Sequence, residues 1–278
     1  MGTFVERLDT ACGASQSLVC VGLDPDPALM PVEDVFSFNK AIVDATHDLI
    51  CAYKPNLAFY EALGLGGLQA LAQTVQHIRE VAPSVVLIGD AKRGDIGNTA
   101  AAYARALFEV WGFDAATVNP YLGSDAVEPF LAYQDRGVFI LCRTSNPGAG
   151  DFQDMLVAHG EDTPHPLYQM VALRAMRWNR HGNVGLVVGA TYPEELSRVR
   201  KLCPDMPILI PGIGSQAGDL EQSVMRGVDT QGRRAIINSS RGIIYASRGA
   251  DFAELARAAT MKLRDAINTT LISESHGW

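Results

Sequence analysis

Two carboxylates and a lysine lie close together in residues 88–99 of this 278-residue chain. Asp90 and Lys92 continue an apolar, β-branched run at 85–88 that is typical of a strand, and Asp95 follows after a glycine. Because alternate side chains of a strand point to the same side, Asp90 and Lys92 are expected to share one face. Charges packed so closely are costly to desolvate unless they are paired or catalytic. The segment therefore predicts a catalytic site or a structural ion-pair network.

Polar groups that could join this cluster stand at the ends of other apolar runs. Asp24 and Lys54 each end such a run, on the side of its alternate apolar residues. A glycine-rich stretch at 212–218 can direct backbone N–H groups at an anion, and Arg241 adds a forked cation suited to phosphate. Together these residues indicate a phosphorylated ligand beside a charged reaction centre.

Each of these residues also has a purely structural explanation. The ion pairs could close the top of a barrel, although burying charge for that purpose is costly. Asp95 lies near a predicted helix start and could be its N-cap or a partner of the helix dipole. Asp24 precedes a proline and could belong to a turn, while the glycines could be turn residues and Arg241 a surface cation.

Apolar strand patterns alternate with amphipathic helix patterns along the chain. The strands are predicted at 18–24, 51–56, 85–92, 115–119, 137–143, 184–191, 207–212 and 234–240. The helices are predicted at 37–50, 67–81, 98–111, 124–134, 166–180, 193–201, 217–226 and 251–267. Eight strand–helix units in about 250 residues indicate an α/β fold, a single (β/α)8 TIM barrel.

This barrel is expected to be one domain over residues 1–278, with a short N-terminal helix and a C-terminal tail. Parallel strands covered on both faces have nearly continuous apolar sequences, as these do. A doubly wound open sheet is the competing fold, but no Gly-x-Gly-x-x-Gly follows the first strand. Catalytic groups of such barrels lie at the C-terminal ends of the strands, where Asp24, Lys54, Asp90 and Lys92 are predicted.

The composition is that of an ordinary soluble globular protein, with 47% hydrophobic and 19% charged residues. A formal net charge of −8 argues against nucleic-acid binding, which needs a basic surface, but allows a small anionic ligand. Five cysteines without a Cys-x-x-Cys pair indicate a reducing compartment, and the six histidines show no zinc-ligand spacing. Membrane-spanning and signal-peptide patterns are absent, so we expect a cytoplasmic protein.

Three chemistries could use the charged cluster. A Schiff-base aldolase needs one desolvated lysine, and a metal-dependent aldolase or epimerase needs carboxylates that hold a divalent ion. A cofactor-free decarboxylase needs a lysine kept cationic by flanking acids, so that it can meet a developing carbanion and protonate it.

Seven segments from the first strand to the last resemble the orotidine 5′-phosphate decarboxylase family, in its longer bacterial branch. They are VGLDP at 21–25, YKPN at 53–56, DAKRGDI at 90–96, TVNPYLG at 117–123, TSNPG at 144–148, PGIG at 211–214 and SRG at 240–242. The Asp-x-Lys-x-x-Asp motif alone is shared with sugar-phosphate relatives, whereas the whole set of segments is specific to this family.

The resemblance implies a homodimer that converts orotidine 5′-phosphate to UMP, without metal or organic cofactor, in the last step of de novo pyrimidine nucleotide synthesis. Lys54, Asp90, Lys92 and Asp95 would form a charged tetrad, in which Lys92 stabilises and protonates a carbanion at C6. Asp95 would reach into the partner's site together with Ile96 and Thr99. The substrate-binding residues implied in this way are Asp24, Ile96, Thr99, Ser145, Pro211, Gly212, Gly214, Gln216 and Arg241.

The chain departs from the family pattern in two places. Shorter members place Gly-Arg before the exit of the last strand, whereas this chain has Ser240, Arg241 and Gly242, so its phosphate loop is expected to differ in detail. The stretch 149–166 is longer than a typical loop and is expected to be a partial lid over the base.

Two other functions stay open. A Mg²⁺-dependent sugar-phosphate lyase, similar to hexulose-phosphate synthase, has a metal-binding glutamate where this chain has Lys54, and its activity would be lost in EDTA. A non-catalytic nucleotide-binding barrel would bind UMP without turnover.

Overall fold

The computed structural model describes residues 2–158, 164–213 and 217–278, with backbone only at 217–219. The barrel strands in these residues are β1 (Val19–Leu23), β2 (Ala52–Pro55), β3 (Val86–Arg93), β4 (Ala115–Val118), β5 (Gly137–Arg143), β8 (Val184–Val188), β9 (Ile208–Ile210) and β10 (Ala235–Ser239). These eight parallel strands close in the order β1-β10-β9-β8-β5-β4-β3-β2, which confirms the predicted fold class.

The helices pack around this barrel, and their bounds differ in places from the predicted ones. They are α1 (Phe4–Ser15), α2 (Val35–Thr46), α3 (Leu57–Glu61), α4 (Gly64–Val81), α5 (Gly97–Arg105), α6 (Ser124–Leu131), α7 (Gly150–Gln153), α8 (Leu167–Trp178), α9 (Pro193–Leu202), α10 (Ala217–Gly227), α11 (Arg241–Ile244) and α12 (Phe252–Ser273). The helix predicted at 98–111 changes into a π-helix over Ala106–Val110, and the last helix continues to Ser273 rather than ending at 267. No described helix is long and apolar enough to cross a membrane.

The predicted lid stretch contains regular structure of its own. The helix α7 is followed by β6 (Leu156–Val157) and β7 (His165–Pro166), which pair as an antiparallel two-stranded ribbon separate from the barrel. The backbone N–H of Leu167 donates to the carbonyl of Met155 and joins the ribbon to the start of α8. Residues 159–163 of this stretch lie outside the described residues.

The strands are buried because apolar side chains cover both of their faces. All five residues of β1 and all five of β8 are buried, as the continuous apolar sequences predict. Close packing against the turn before β4 also requires a glycine at position 89, since a Cβ there would lie 2.6 Å from the ring of Phe113. The five cysteines are buried and unpaired, which places them in this core.

Ionic contacts at the N-terminal end of the barrel join several elements. Asp114, just before β4, accepts hydrogen bonds from Arg7 of α1 and Arg79 of α4, each at 2.8 Å. The guanidinium of Arg136 lies 3.5 Å from the same carboxylate. At the turns before β9 and β10, Arg200 of α9 is buried, and its hydrogen bonds among the described residues go to main-chain oxygens, those of Cys203, Pro204, Met206, Gly227 and Arg234.

Candidate active site

Asp90 lies at the centre of a charged cluster at the C-terminal end of the barrel. Its Oδ2 atom is 2.8 Å from Nζ of Lys54, and its Oδ1 atom is 2.6 Å from Nζ of Lys92. Lys54 is on β2, and Asp90 and Lys92 are on the neighbouring strand β3. The structure thus brings together three of the four charged residues that the sequence suggests.

Burial and charge act in opposite directions within this cluster. Lys54 and Asp90 are 3% and 8% exposed, so desolvation alone would lower the pKa of Lys54 and raise the pKa of Asp90. The opposite charges outweigh burial: Asp90 and Asp24 hold the pKa of Lys54 above its usual range, and both lysines hold the pKa of Asp90 well below its usual range. Asp90 is therefore a carboxylate, and Lys54 an ammonium, at neutral pH.

Lys92 extends from an irregular part of β3. The register between β3 and β4 shifts between Gly89 and Arg93, and Lys92 has the left-handed backbone conformation, with φ at 47°. Regular strand alternation predicts the contact between Asp90 and Lys92 that is present, but the backbone that makes the contact is a bulge rather than a regular strand. The Lys92 side chain is about half exposed (49%), which leaves its ammonium accessible.

Thr117 of β4 bonds both Asp90 and Lys92. Its hydroxyl donates to Oδ1 of Asp90 at 2.9 Å and accepts the backbone N–H of Lys92 at 2.9 Å. Thr117 is not among the site residues predicted from the sequence, because a threonine in an apolar run looks like an ordinary strand former. The signal was its parity, since Thr117 alternates with Asn119 at the strand end and so continues the same face.

Asp24 lies just beyond the end of β1, beside Lys54. Its side chain is partly buried, and Oδ1 is a buried atom with no hydrogen-bond partner among the described residues. The hydroxyl of Tyr245 donates to the main-chain oxygen of Asp24 and accepts the N–H of Asp26, which fixes this turn. The carboxylate is therefore positioned by its backbone, and one of its oxygens is left without a hydrogen-bond partner among the described residues.

Asp95 does not join the cluster of its own chain. Its Oδ1 accepts the adjacent N–H of Ile96 at 2.8 Å, and no ion pair to Asp95 occurs among the described residues. The N-cap residue of α5 is Ile96, so the interpretation of Asp95 as the helix N-cap is wrong. Ile96 is 54% exposed and Thr99 is exposed, and among the described residues neither has a side-chain hydrogen bond to Lys54 or Lys92.

Ser145 and the loop after β9 lie next to each other at the same end of the barrel. A Cβ on Gly212, which has φ at 87°, would lie 3.4 Å from Oγ of Ser145, and a Cβ on Gly189 would lie 2.6 Å from Cβ of Ser145. Glycine at these positions therefore leaves room for Ser145. Pro211 is partly buried beside them, while Gly214 and Gln216 lie outside the described residues.

Arg241 is the exposed first residue of α11, directly after β10. The preceding Ser240 packs so closely against Gly22 of β1 that any side chain at position 22 would collide with its hydroxyl. Tyr245, at the other end of α11, holds the turn of Asp24. Arg241 and Asp24 therefore extend from elements that are fixed to each other.

The start of the predicted lid stretch is held against the barrel. Arg143, which ends β5 and is 2% exposed, donates to Oδ2 of Asp154 at 3.1 Å and lies over the ring of Tyr192. Gln153 accepts the N–H of Thr144 and donates to its hydroxyl, so the loop after β5 is anchored to α7. This anchor could not be predicted from the sequence, because side-chain hydrogen bonds within a loop leave no periodic pattern.

Comparisons with known proteins agree with this arrangement. The family model described as "Orotidine 5′-phosphate decarboxylase / HUMPS family" matches residues 17–256. Orotidine 5′-phosphate decarboxylase from Roseiflexus castenholzii is 55% identical over 96% of this chain and 98% of its own length. The protein of that name from Thermomicrobium roseum is 54% identical over 95% of each chain. The solved structure of Leishmania donovani OMP decarboxylase superposes with a TM-score of 0.84 at 40% identity, over 98% of this chain and 99% of that one.

Proposed function

Because the chain belongs to the orotidine 5′-phosphate decarboxylase / HUMPS family, we propose that it converts orotidine 5′-phosphate to UMP and CO₂. This reaction is the last step of de novo pyrimidine nucleotide synthesis, and the enzyme is a carboxy-lyase. One observation carries the proposal beyond the family: Asp90 is held between the ammonium groups of Lys54 and Lys92 at the end of the barrel where such folds carry their chemistry.

The reaction breaks the bond between C6 and the carboxylate of the orotate ring. The electron pair stays on C6, CO₂ departs, and Nζ of Lys92 donates a proton to C6, after which the amine regains a proton from solvent. A C6 carbanion has no obvious resonance stabilisation, so the enzyme must lower the barrier by something on the order of 20 kcal/mol. The ammonium of Lys92, held 2.6 Å from Asp90, supports this role as a fixed positive charge beside the developing negative one.

Substrate recognition is proposed for residues at the other strand ends. Asp24 and Lys54 hold the ribose hydroxyls, and the unpartnered Oδ1 of Asp24 supports this assignment. Ser145 contacts the pyrimidine. The phosphate-binding residues are Pro211, Gly212, Gly214, Gln216 and Arg241. Phosphate binding far from C6 provides energy that offsets the crowding of the substrate carboxylate against Asp90.

We also propose that the active enzyme is a homodimer, with Asp95, Ile96 and Thr99 completing the site of the other subunit. The absence of any ion pair between Asp95 and the lysines of its own chain, among the described residues, supports this arrangement. The exposed apolar side chain of Ile96, beside Asp95, is the kind of group that a subunit interface covers. Five buried, unpaired cysteines support the reducing cytoplasm as its location.

The anchored segment after β5 supports a partial lid formed by residues 149–166. Arg143 and Gln153 fix its beginning, and the ribbon β6–β7 carries the exposed side chain of Leu156 beyond that anchor. With its start anchored in this way, the stretch is proposed to cover the base without leaving the barrel.

The cluster fits a divalent metal poorly, which weighs against the sugar-phosphate lyase. Both oxygens of Asp90 are occupied by ammonium groups, and a metal ion there would lie beside the buried charge of Lys54.

The test is the ultraviolet absorbance change of orotidine 5′-phosphate on conversion to UMP, with and without EDTA. We expect conversion that EDTA does not affect, and conversion that EDTA abolishes would indicate the lyase. Lys92→Ala is expected to abolish turnover while the circular dichroism spectrum and UMP binding stay as in the wild type. A variant that kept near-normal kcat would contradict the role of Lys92 as proton donor.

A further inference from the structure

Thr117 is a buried residue (1% exposed) whose single hydroxyl serves two partners in the charged cluster. A hydroxyl has one hydrogen to donate, and this hydrogen goes to Oδ1 of Asp90. Its oxygen accepts the main-chain N–H of Lys92. Thr117 thus connects the carboxylate of one charged residue to the backbone of the next.

The contact with Asp90 determines how the carboxylate is turned. Oδ1 receives Thr117 and Lys92, and Oδ2 receives Lys54. Rotation of the carboxylate would break the hydrogen bond from Thr117, so the hydroxyl keeps one oxygen directed at each lysine. Hydrogen bonds to a charged acceptor are shorter and stronger than those between neutral groups.

The contact with Lys92 determines how the backbone is held. At Lys92 the regular pairing between β3 and β4 is interrupted, and the residue is in the left-handed conformation. The N–H of Lys92 therefore finds its partner in a side chain of β4 instead of in the regular ladder. Without the hydroxyl this N–H loses its acceptor at the point from which the ammonium extends.

We propose that Thr117 is a positioning residue for decarboxylation, which fixes both the Asp90 carboxylate and the backbone of Lys92 so that the ammonium meets C6. This inference rests on the proposed function. The hydroxyl of Thr117 bonds Asp90 and Lys92 and none of the described residues assigned to the phosphate or ribose, so we expect its removal to affect the chemical step rather than substrate binding.

The substitution Thr117→Val tests the proposal, because valine keeps the shape of threonine and lacks the hydroxyl. We expect kcat to fall about 10- to 100-fold, the range for losing a hydrogen bond to a charged group. KM for orotidine 5′-phosphate and Kd for UMP are expected to stay at wild-type values. Thr117→Ser keeps the hydroxyl and is expected to restore most of kcat.

A control variant and a second pair of variants distinguish a positioning role of Thr117 from a general loss of stability. Thr260→Val replaces another fully buried threonine, in α12, whose hydroxyl bonds only a helix carbonyl, and is expected to leave kcat unchanged. If Thr117→Val does not fold, Thr117→Ala and Thr117→Ser form the comparison, since both lack the methyl group and differ only in the hydroxyl. Thr117→Ser is expected to have a higher kcat than Thr117→Val and a higher kcat than Thr117→Ala.

The outcomes distinguish the inference from the function on which it rests. If the wild type decarboxylates the substrate and the variants with and without the hydroxyl have equal kcat, the inference is wrong and the function stands. A loss of UMP binding that parallels the loss of kcat would assign Thr117 a structural role and also overturn the inference. If the wild type releases no CO₂, the proposed function is wrong and the inference fails with it.

Discussion

At the scale of single residues, Asp90 combines a buried carboxylate with two ammonium neighbours and one hydroxyl donor. Removing a single charge from such a cluster leaves its partners buried without compensation, so each member affects the others. Arg241 differs from them, because it is exposed and makes no ion pair among the described residues. Its substitution therefore tests substrate binding without disturbing the cluster.

Arg241→Ala is expected to raise KM for orotidine 5′-phosphate roughly 10- to 100-fold, since a charge-assisted bond to phosphate contributes about 1.5–3 kcal/mol. kcat is expected to change less, because Arg241 lies away from Asp90 and Lys92. Initial rates at increasing substrate concentration measure both constants. Arg180→Ala, at an exposed arginine after α8, is the control, and an unchanged KM in Arg241→Ala would rule out the phosphate role.

Sequence reasoning at this scale identified the charged residues but not the group that orients them. The parity of Asp90 and Lys92 correctly predicts their contact, because the two residues belong to one strand. Thr117 reaches Asp90 only through the register of two strands, with a shift at the bulge, and register is a property of tertiary packing. The role of Asp95 stays a prediction, since it depends on a second chain.

At the scale of elements, the charged residues at the two ends of the barrel have different roles. The C-terminal end carries the charged cluster, and the N-terminal end carries Asp114, which joins α1, α4 and the start of β5 through three guanidinium groups. The backbone N–H of Leu87 also donates to Asp114, which ties the carboxylate to β3. Charged residues at this end therefore serve stability, as the barrel fold leads one to expect.

Asp114→Asn is expected to lower the free energy of unfolding by about 2 kcal/mol, because it removes the charge that three arginines share. The arginine side chains are a quarter to a third exposed, so the loss is smaller than for a fully buried pair. Urea unfolding measures this loss of free energy, and Asp205→Asn, at an exposed aspartate, is the control. Equal stability of the two variants would contradict the role of Asp114, and kcat of the folded enzyme is expected to be unaffected.

The positions of the barrel strands could be predicted from the sequence because continuous apolar runs mark them clearly. Short elements could not be predicted in this way. The helices α3 and α11 and the ribbon β6–β7 are too short to show a periodic pattern, and the π-helix at Ala106–Val110 differs from an α-helix by only one residue in its hydrogen bonding.

At the scale of the whole molecule, the proposed dimer can be tested by mixing inactive variants. If Asp95 acts in the site of the partner, a hybrid of Lys92→Ala and Asp95→Ala chains contains one site with both residues intact. Random exchange of subunits is then expected to restore about a quarter of wild-type activity, as half of the dimers are hybrids with one of two sites active.

The control for this experiment is a mixture of Lys92→Ala and Asp90→Ala. Both residues lie in the same chain and contact each other, so no hybrid of these two contains an intact site. If Asp95 acted within its own chain, its mixture with Lys92→Ala would stay as inactive as this control. Refolding the two variants together from denaturant allows the subunits to exchange before the assay.

The left-handed backbone at Lys92 has a consequence for how this enzyme can be improved. A residue with a Cβ adopts that conformation at a cost of about 1–2 kcal/mol, whereas glycine adopts it freely. Glycine at position 92 would relieve this cost, but it would also remove the ammonium that pairs with the buried Asp90, which is itself destabilising. Selection for heat resistance is therefore not expected to relieve the strain at this position, and directed evolution must find added stability elsewhere in the molecule.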